Sequence, residues 1–145
     1  MNILVINGPN INMLGIREPD IYGSKNYEDL VSLITDTCDK NDISVEIFQS
    51  NHEGAIIDRI QDAYARYDGI IINPGGYTHT SVSILDALRA VNIPTVEVHI
   101  SDINDRESFR KFSYISTYAI KTISGWGISG YVYAVMFLKS HISKS

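Results

Sequence analysis

The chain has 145 residues, 44% hydrophobic and 20% charged, which fits one folded domain with a sizeable buried core. Its formal net charge of -5 supplies no basic surface for a phosphate backbone, which argues against DNA or RNA as partner and favours a small molecule. A lone cysteine, Cys38, excludes an internal disulfide, the start at Met1 shows no basic and apolar leader, and no apolar run approaches the roughly 20 residues of a membrane span; a cytoplasmic protein without membrane attachment is expected.

Residues 3–6 (Ile-Leu-Val-Ile) form the first short β-rich run. The segment that follows, 8–26, is the longest irregular stretch and has the character of a lid, with Gly8, Gly15 and Gly23 as joints and Pro9 and Pro19 fixing local direction. It carries Asn10, Arg17, Glu18 and Tyr22. A free phenol has a pKa of about 10, so about one in a thousand is ionised at neutral pH. A guanidinium cannot lose its charge, and placed beside a phenol it favours the phenolate, which makes Tyr22 next to Arg17 a candidate general base.

Apolar spacing through Leu30, Leu33, Ile34 and Cys38 predicts a helix over 27–39, with Cys38 in its core-facing row. A second strand over 45–48 ends in Gln49, Ser50, Asn51 and His52. Ile56, Ile57, Ile60 and Tyr64 predict a helix over 55–67, and Ile70 to Ile72 a third strand. That strand runs into Asn73-Pro-Gly-Gly-Tyr-Thr-His79, where two glycines permit close approach of a ligand; the lysine of a phosphate loop is missing. A helix over 81–91 follows, opening near Thr80 or Ser81 and carrying Asp86 two turns in.

The fourth strand, 95–98, puts Glu97 and His99 on the same sheet face, so the carboxylate can orient a histidine suited to act as general acid. Ser101 and the amides after it can hold an anion, and Arg106 and Arg110 are expected four apart on a short helix, facing the same way. A fifth strand is expected over 118–123 and a last helix over 128–140. That helix is apolar around much of its circumference and is therefore deeply buried or shared with another subunit.

Strand and helix alternate throughout, which implies a parallel sheet with right-handed crossovers and helices on both faces. In such sheets ligands bind beyond the carboxyl ends of the strands, where the polar and glycine residues of this chain are concentrated; that pattern is an enzyme's. His52, His79 and His99 lack close metal-ligand spacing, so no metal is expected. Gly125, Gly127 and Gly130 match a dinucleotide fingerprint but have no second strand with an acidic residue after them, and tight helix packing is the better account. No lysine is well placed for imine chemistry. A receiver module on this fold needs an acidic cluster after the first strand, and a flavodoxin needs a hydroxyl-rich phosphate loop there; Asn7-Gly-Pro-Asn10 is neither.

Taken together, residues 7–23, 49–54, 72–82, 97–101 and 106–110 resemble the type II 3-dehydroquinate dehydratases over nearly the whole chain. The resemblance implies a flavodoxin-like, doubly wound sheet of strand order 2-1-3-4-5, no cofactor, and a homododecamer built as a tetramer of trimers. It implies a lyase that dehydrates 3-dehydroquinate to 3-dehydroshikimate by anti elimination through an enolate, a step of the shikimate pathway toward aromatic amino acids, with service in quinate breakdown the open alternative. Matched by motif, Tyr22 is similar to the proton acceptor, Arg17 to the group stabilising its phenolate and the developing charge, and His99 to the proton donor. Asn10 resembles the residue that helps hold a water against the enolate oxygen. Asn73, His79, Arg110 and the Ile100-Ser101 backbone resemble the substrate-binding set, and Asp86 the group that reaches a neighbouring subunit's site. Asp102 stands where Asn is common and Asn104 where His is common, so extra negative charge near the substrate carboxylate is expected to weaken binding.

Overall fold

A computed structural model describes residues 1–16 and 24–144. At its centre β1 (Asn2–Asn7), β2 (Ser44–Gln49), β3 (Gly69–Asn73), β4 (Thr95–His99) and β5 (Lys121–Ser124) form an all-parallel sheet of order β2-β1-β3-β4-β5. Around it stand α1 (Tyr27–Lys40), α2 (Glu53–Asp62), α3 (Val82–Val91) and α4 (Ser129–Ser143). This is the doubly wound, flavodoxin-like order expected from the sequence. No helix among the described residues is long and apolar enough to cross a membrane.

Strand alternation explains why the sheet is covered on both sides. Ile3 and Val5 point into a core with Leu30, Ile34 and Cys38 of α1 and Tyr131, Val135 and Leu138 of α4. Leu4 and Ile6 point the other way, onto Ile56 and Ile60 of α2 and Ile84 and Leu88 of α3. A strand buried on both faces has no polar side to show, hence the unbroken apolar run at residues 3–6. Cys38 lies in the first core, where burial pushes its thiol up to about 11 and the Asp39 carboxylate adds to the effect.

Two of the helices start on side-chain caps. Asn26 accepts from the Asp29 amide at 2.8 Å while the Asp29 carboxylate accepts from the Asn26 amide at 2.9 Å, a reciprocal cap that starts α1. Ser81 accepts from the Ile84 amide at 3.0 Å and donates its own proton to Glu53, tying the start of α3 to the start of α2.

Beyond shifts of a residue or a few at element ends, three stretches depart from the sequence expectation. The helix expected over 55–67 begins at Glu53 and stops at Asp62, because Ala65 takes a left-handed φ of 61° and Tyr67 turns back to donate to Glu46 and accept from Arg59. The fifth strand begins at Lys121 rather than residue 118; Tyr118 closes a 3-10 turn over Ile115–Thr117 and donates to the Ile93 carbonyl at 2.8 Å. No α-helix spans Arg106 to Arg110: two 3-10 turns, Ile103–Asp105 and Ser108–Arg110, replace it, with Arg106 extended between them. The last helix runs over Ser129–Ser143, where 128–140 was expected. One row, Tyr131, Ala134, Val135 and Leu138, is buried on the sheet, and Tyr133 and Met136 are exposed in the single chain.

The carboxyl ends of the strands line up. Asn7 stands opposite Gln49 on one side and Asn73 on the other, which places polar side chains in register where the strand order reverses between β1 and β3. Tyr131 reaches this point from α4, fully buried: its hydroxyl donates to Asn7 Oδ1 at 2.7 Å and accepts from Asn73 Nδ2 at 3.0 Å. Burial holds its phenol above the ordinary range, so it is a neutral donor. Replacing Tyr131 by Phe keeps the ring and leaves Asn7 Oδ1 and one Nδ2 proton of Asn73 without their buried partner, and should cost about 1–3 kcal/mol. A urea unfolding midpoint lowered at unchanged slope is the expected result, with an unmoved midpoint the contrary one.

Candidate active site

Loops after β1, β3 and β4 enclose a cavity of about 140 Å³ lined by Pro9, Asn10, Ile11, Asn73, Gly75, Gly76, His79, His99, Ile100, Ser101, Ile103, Arg106 and Arg110. A larger groove of about 640 Å³ runs along the outer edge of β2 among Thr35, Asp39, Asp42 and Glu46. That groove is open and faces the sheet edge. The smaller cavity is the chemical candidate, because histidines, arginines and amides from separate loops converge on it at the topological switch point.

Its floor requires backbones to approach closely. The Gly8 amide donates to the Asn73 carbonyl at 2.7 Å, and a Cβ on Gly8 would lie 2.4 Å from the Pro74 oxygen, so only glycine fits there. Asn10 holds a left-handed φ of 69°, with its amide donating to Asn51 Oδ1 at 3.1 Å. Gln49 Nε2 donates to the Gly8 carbonyl at 3.2 Å, and Tyr77 donates to the Asn51 carbonyl at 2.9 Å. The polar end of β2 is therefore a buttress for the first loop and is not part of the cavity wall. Asn73 Oδ1 accepts from the Gly75 amide at 3.1 Å and one Nδ2 proton goes to Tyr131, which fixes the orientation of the amide.

His99 closes the end of β4, and its Nε2 lies 2.5 Å from Glu97 Oε2. Glu97 is fully buried, and the same oxygen accepts from Thr78 Oγ1 at 2.6 Å and Ser113 Oγ at 2.7 Å, while Oε1 faces Thr122 Oγ1 at 3.2 Å. Burial by itself opposes ionisation of Glu97; the His99 contact and then the hydroxyl donors outweigh it and hold the carboxyl below its usual range. A carboxylate only accepts, so Nε2 of His99 carries the proton and Nδ1 is the nitrogen left for other work. By the same reasoning His79 Nδ1, 2.8 Å from the Phe112 carbonyl, is protonated there and presents Nε2.

The far wall is positive. Arg106 Nη1 donates to Ser101 Oγ at 3.2 Å, and Arg110 donates through Nε to Glu107 with its guanidinium 5.3 Å over the Phe109 ring. The carbonyls of His99, Ile100 and Ser101 are taken by the Gly125 amide at 3.2 Å, the Gly127 amide at 3.0 Å and Ser124 Oγ at 3.2 Å. What this wall can offer an anion is therefore N–H. The glycine-rich segment that imitates a dinucleotide fingerprint seals the back of the site. Close packing applies to Gly130, where a Cβ would sit 3.3 Å from Ile123 and 3.4 Å from Val98.

Of the residues singled out in the sequence, Asn10, Asn73, His79, His99, Ile100, Ser101 and Arg110 meet in the cavity. Arg106 joins them even though no helix aligns it with Arg110. Asp86 is exposed on α3, outside this cavity. Arg17 and Tyr22 lie outside the described residues. Asp102 does not bring its charge to the cavity: its carboxylate caps the following turn by accepting from the Asn104 amide at 2.9 Å, and it packs toward Gly125 and the outer surface near Trp126. Sequence reasoning missed Thr78, Ser113 and Tyr131 as supports of the site. A buried Glu97 two residues from His99 was the available signal, since it demanded donors from elsewhere.

The class II dehydroquinase family model matches residues 1–139. The 3-dehydroquinate dehydratase of Clostridium acetobutylicum is 55% identical over 144 residues, covering 99% of this chain and 100% of that protein. That of Corynebacterium glutamicum is 55% identical over 136 residues, 94% of each. The crystal structure of type II dehydroquinase from Butyrivibrio crossotus superposes with a TM-score of 0.94 at 55% identity, covering 96% of this chain and 97% of the other. The type II dehydroquinase from Propionibacterium acnes gives 0.92 at 37% identity, with 96% of each chain covered. With its strand order, its convergent cavity and these likenesses along its length, the chain belongs to the class II dehydroquinase family.

Proposed function

We propose that this chain is a single catalytic domain that dehydrates 3-dehydroquinate to 3-dehydroshikimate by anti elimination through an enolate. The observation that carries this reading is the His99-Glu97 pair at the mouth of β4, opening into a cavity whose other wall holds Arg106 and Arg110. The substrate carboxylate belongs at the arginines and the amides of Ile100 and Ser101, where charge-assisted N–H bonds are available. Asn73 and His79 face the ring hydroxyls.

Tyr22, as phenolate beside Arg17, removes the proton next to the ketone. The electron pair moves to the ketone oxygen, giving an enolate held by a water that Asn10 orients. His99 then delivers a proton from Nδ1 to the departing hydroxyl as the enolate collapses, and water leaves. His99 acts here as the imidazolium, with its Nε2 proton on Glu97, and the proton that Tyr22 gained returns to His99 Nδ1 through solvent, so the cycle closes with no oxidant and no external base. A lysine imine route finds no support: among the described residues no lysine lines the cavity.

Asp86, exposed on α3, suits a role in a neighbouring subunit's cavity, in keeping with a homododecamer assembled as a tetramer of trimers. The reading includes a cytoplasmic enzyme of the shikimate pathway that uses no cofactor.

Adding 3-dehydroquinate to the purified protein should produce the ultraviolet absorption of a conjugated enone; a folded sample that gives none contradicts the assignment. Tyr22→Phe should abolish turnover and leave substrate binding largely intact, because it removes the accepting oxygen and keeps the ring. Arg17→Lys keeps the charge and loses the planar fork, so a variant that retained most activity would break the phenolate argument. His99→Asn should lower kcat by about 10²–10⁴. An unchanged rate would take His99 out of the acid role.

A further inference from the structure

The carboxylate of Glu97 is the least exposed charged group in the site, and what holds it comes from parts of the chain far apart in sequence. Thr78 lies in the turn Gly75–His79, next to His79, and Ser113 lies three residues beyond Arg110. Both are buried. The Tyr114 amide donates to the Thr78 carbonyl at 2.8 Å and His79 donates to the Phe112 carbonyl at 2.8 Å, so the two segments are locked side by side. Their hydroxyls stand 2.8 Å apart, and each also lies within 2.7 Å of Glu97 Oε2.

A hydroxyl has one proton. Ser113 Oγ already accepts from the Ser116 amide at 3.1 Å, a backbone donor that cannot be turned around, so its own proton is directed elsewhere. The carboxylate is the stronger acceptor for it and for the Thr78 proton. Oε2 thus sits at the meeting point of two hydroxyls and the His99 ring, and rotation of the carboxylate would break all three contacts together.

We propose that Thr78 and Ser113 are positioning residues of the reaction: their paired hydroxyls clamp the Glu97 carboxylate in the orientation that holds His99 ready to deliver its proton. This rests on the reading of His99 as the acid. The groups facing the carboxylate are His99 on β4, Thr78 in the turn after β3, Ser113 in the segment after Arg110 and Thr122 on β5. Among these His99 alone is an ionisable side chain; the others are hydroxyls. Without the two hydroxyls, burial works against ionisation of Glu97 with less to oppose it, and protonated Glu97 no longer draws the Nε2 proton of His99. The sign follows: activity that is lost as pH falls through the Glu97 transition is lost at a higher pH when a donor is missing.

The test is steady-state kinetics of the full-length enzyme on 3-dehydroquinate across pH, for Thr78→Val, Ser113→Ala, Thr78→Ser and His99→Asn, with circular dichroism and thermal melts on each. Thr78→Val and Ser113→Ala should each lower kcat about tenfold or more with KM within about twofold, and move the acidic limb of kcat to higher pH. Thr78→Ser, which restores the hydroxyl, should restore most of the rate and return the limb to its place. If either hydroxyl-free variant folds and keeps both the rate and the limb, the clamp is wrong. It is equally wrong if Thr78→Ser is as impaired as Thr78→Val, or if the loss in kcat follows the unfolded fraction with the limb unmoved. Should one variant fail to fold, the other decides together with Thr78→Ser. A disabled His99→Asn beside unaffected clamp variants overturns this proposal alone; a fully active His99→Asn overturns the acid role beneath it.

Discussion

One buried carboxylate organises the active end of this molecule. A carboxylate removed from water is costly unless nearly every lone pair finds a donor, and Glu97 meets that demand with His99 from its own strand, Thr78 from the turn after β3, Ser113 from the segment after Arg110 and Thr122 from β5. To satisfy the charge the chain must bring the histidine turn, the arginine segment and the strand end to one point. The geometry of the cavity follows from that requirement more than from the shape of any one loop.

A second polar knot does the same on the other side of the switch point. Tyr131 draws α4 against the ends of β1 and β3 through Asn7 and Asn73, and Asn7 Nδ2 extends the chain of contacts to Tyr27 at 3.4 Å, at the start of α1. Burial raises the Tyr27 phenol, so it too is neutral. Asn73 belongs both to this knot and to the cavity wall, so the orientation of its amide is set by groups that never meet a ligand. A site built this way is rigid at its floor and depends on distant residues for its precision.

Much of the architecture was legible because it rests on local rules. Apolar runs alternating with helical spacing pointed to a parallel sheet, its strand order came from the family resemblance, and the two-residue step from Glu97 to His99 put both on one face without any tertiary knowledge. The errors fell where tertiary contacts override local pattern. Tyr67 and Tyr118 look like helix and strand residues by type, yet their hydroxyls are drawn to Glu46 and to the Ile93 carbonyl, and the elements end accordingly. Arg106 and Arg110 converge on the cavity through two 3-10 turns, where helical spacing suggested one helix. Thr78 and Ser113 were invisible as a pair because their common partner lies 19 and 16 residues away from them in sequence. Asp102 appeared as an intrusive charge in the sequence, and a turn cap turned it outward.

In the proposed mechanism a buried, ionised Glu97 aligns the proton donor. Glu97→Gln tests it most directly, since the amide keeps the shape, removes the charge and offers an N–H where three donors already converge. In a protein that remains folded, kcat should fall by about a hundredfold with substrate affinity nearly unchanged. A folded Glu97→Gln enzyme turning over at the parent rate would contradict it.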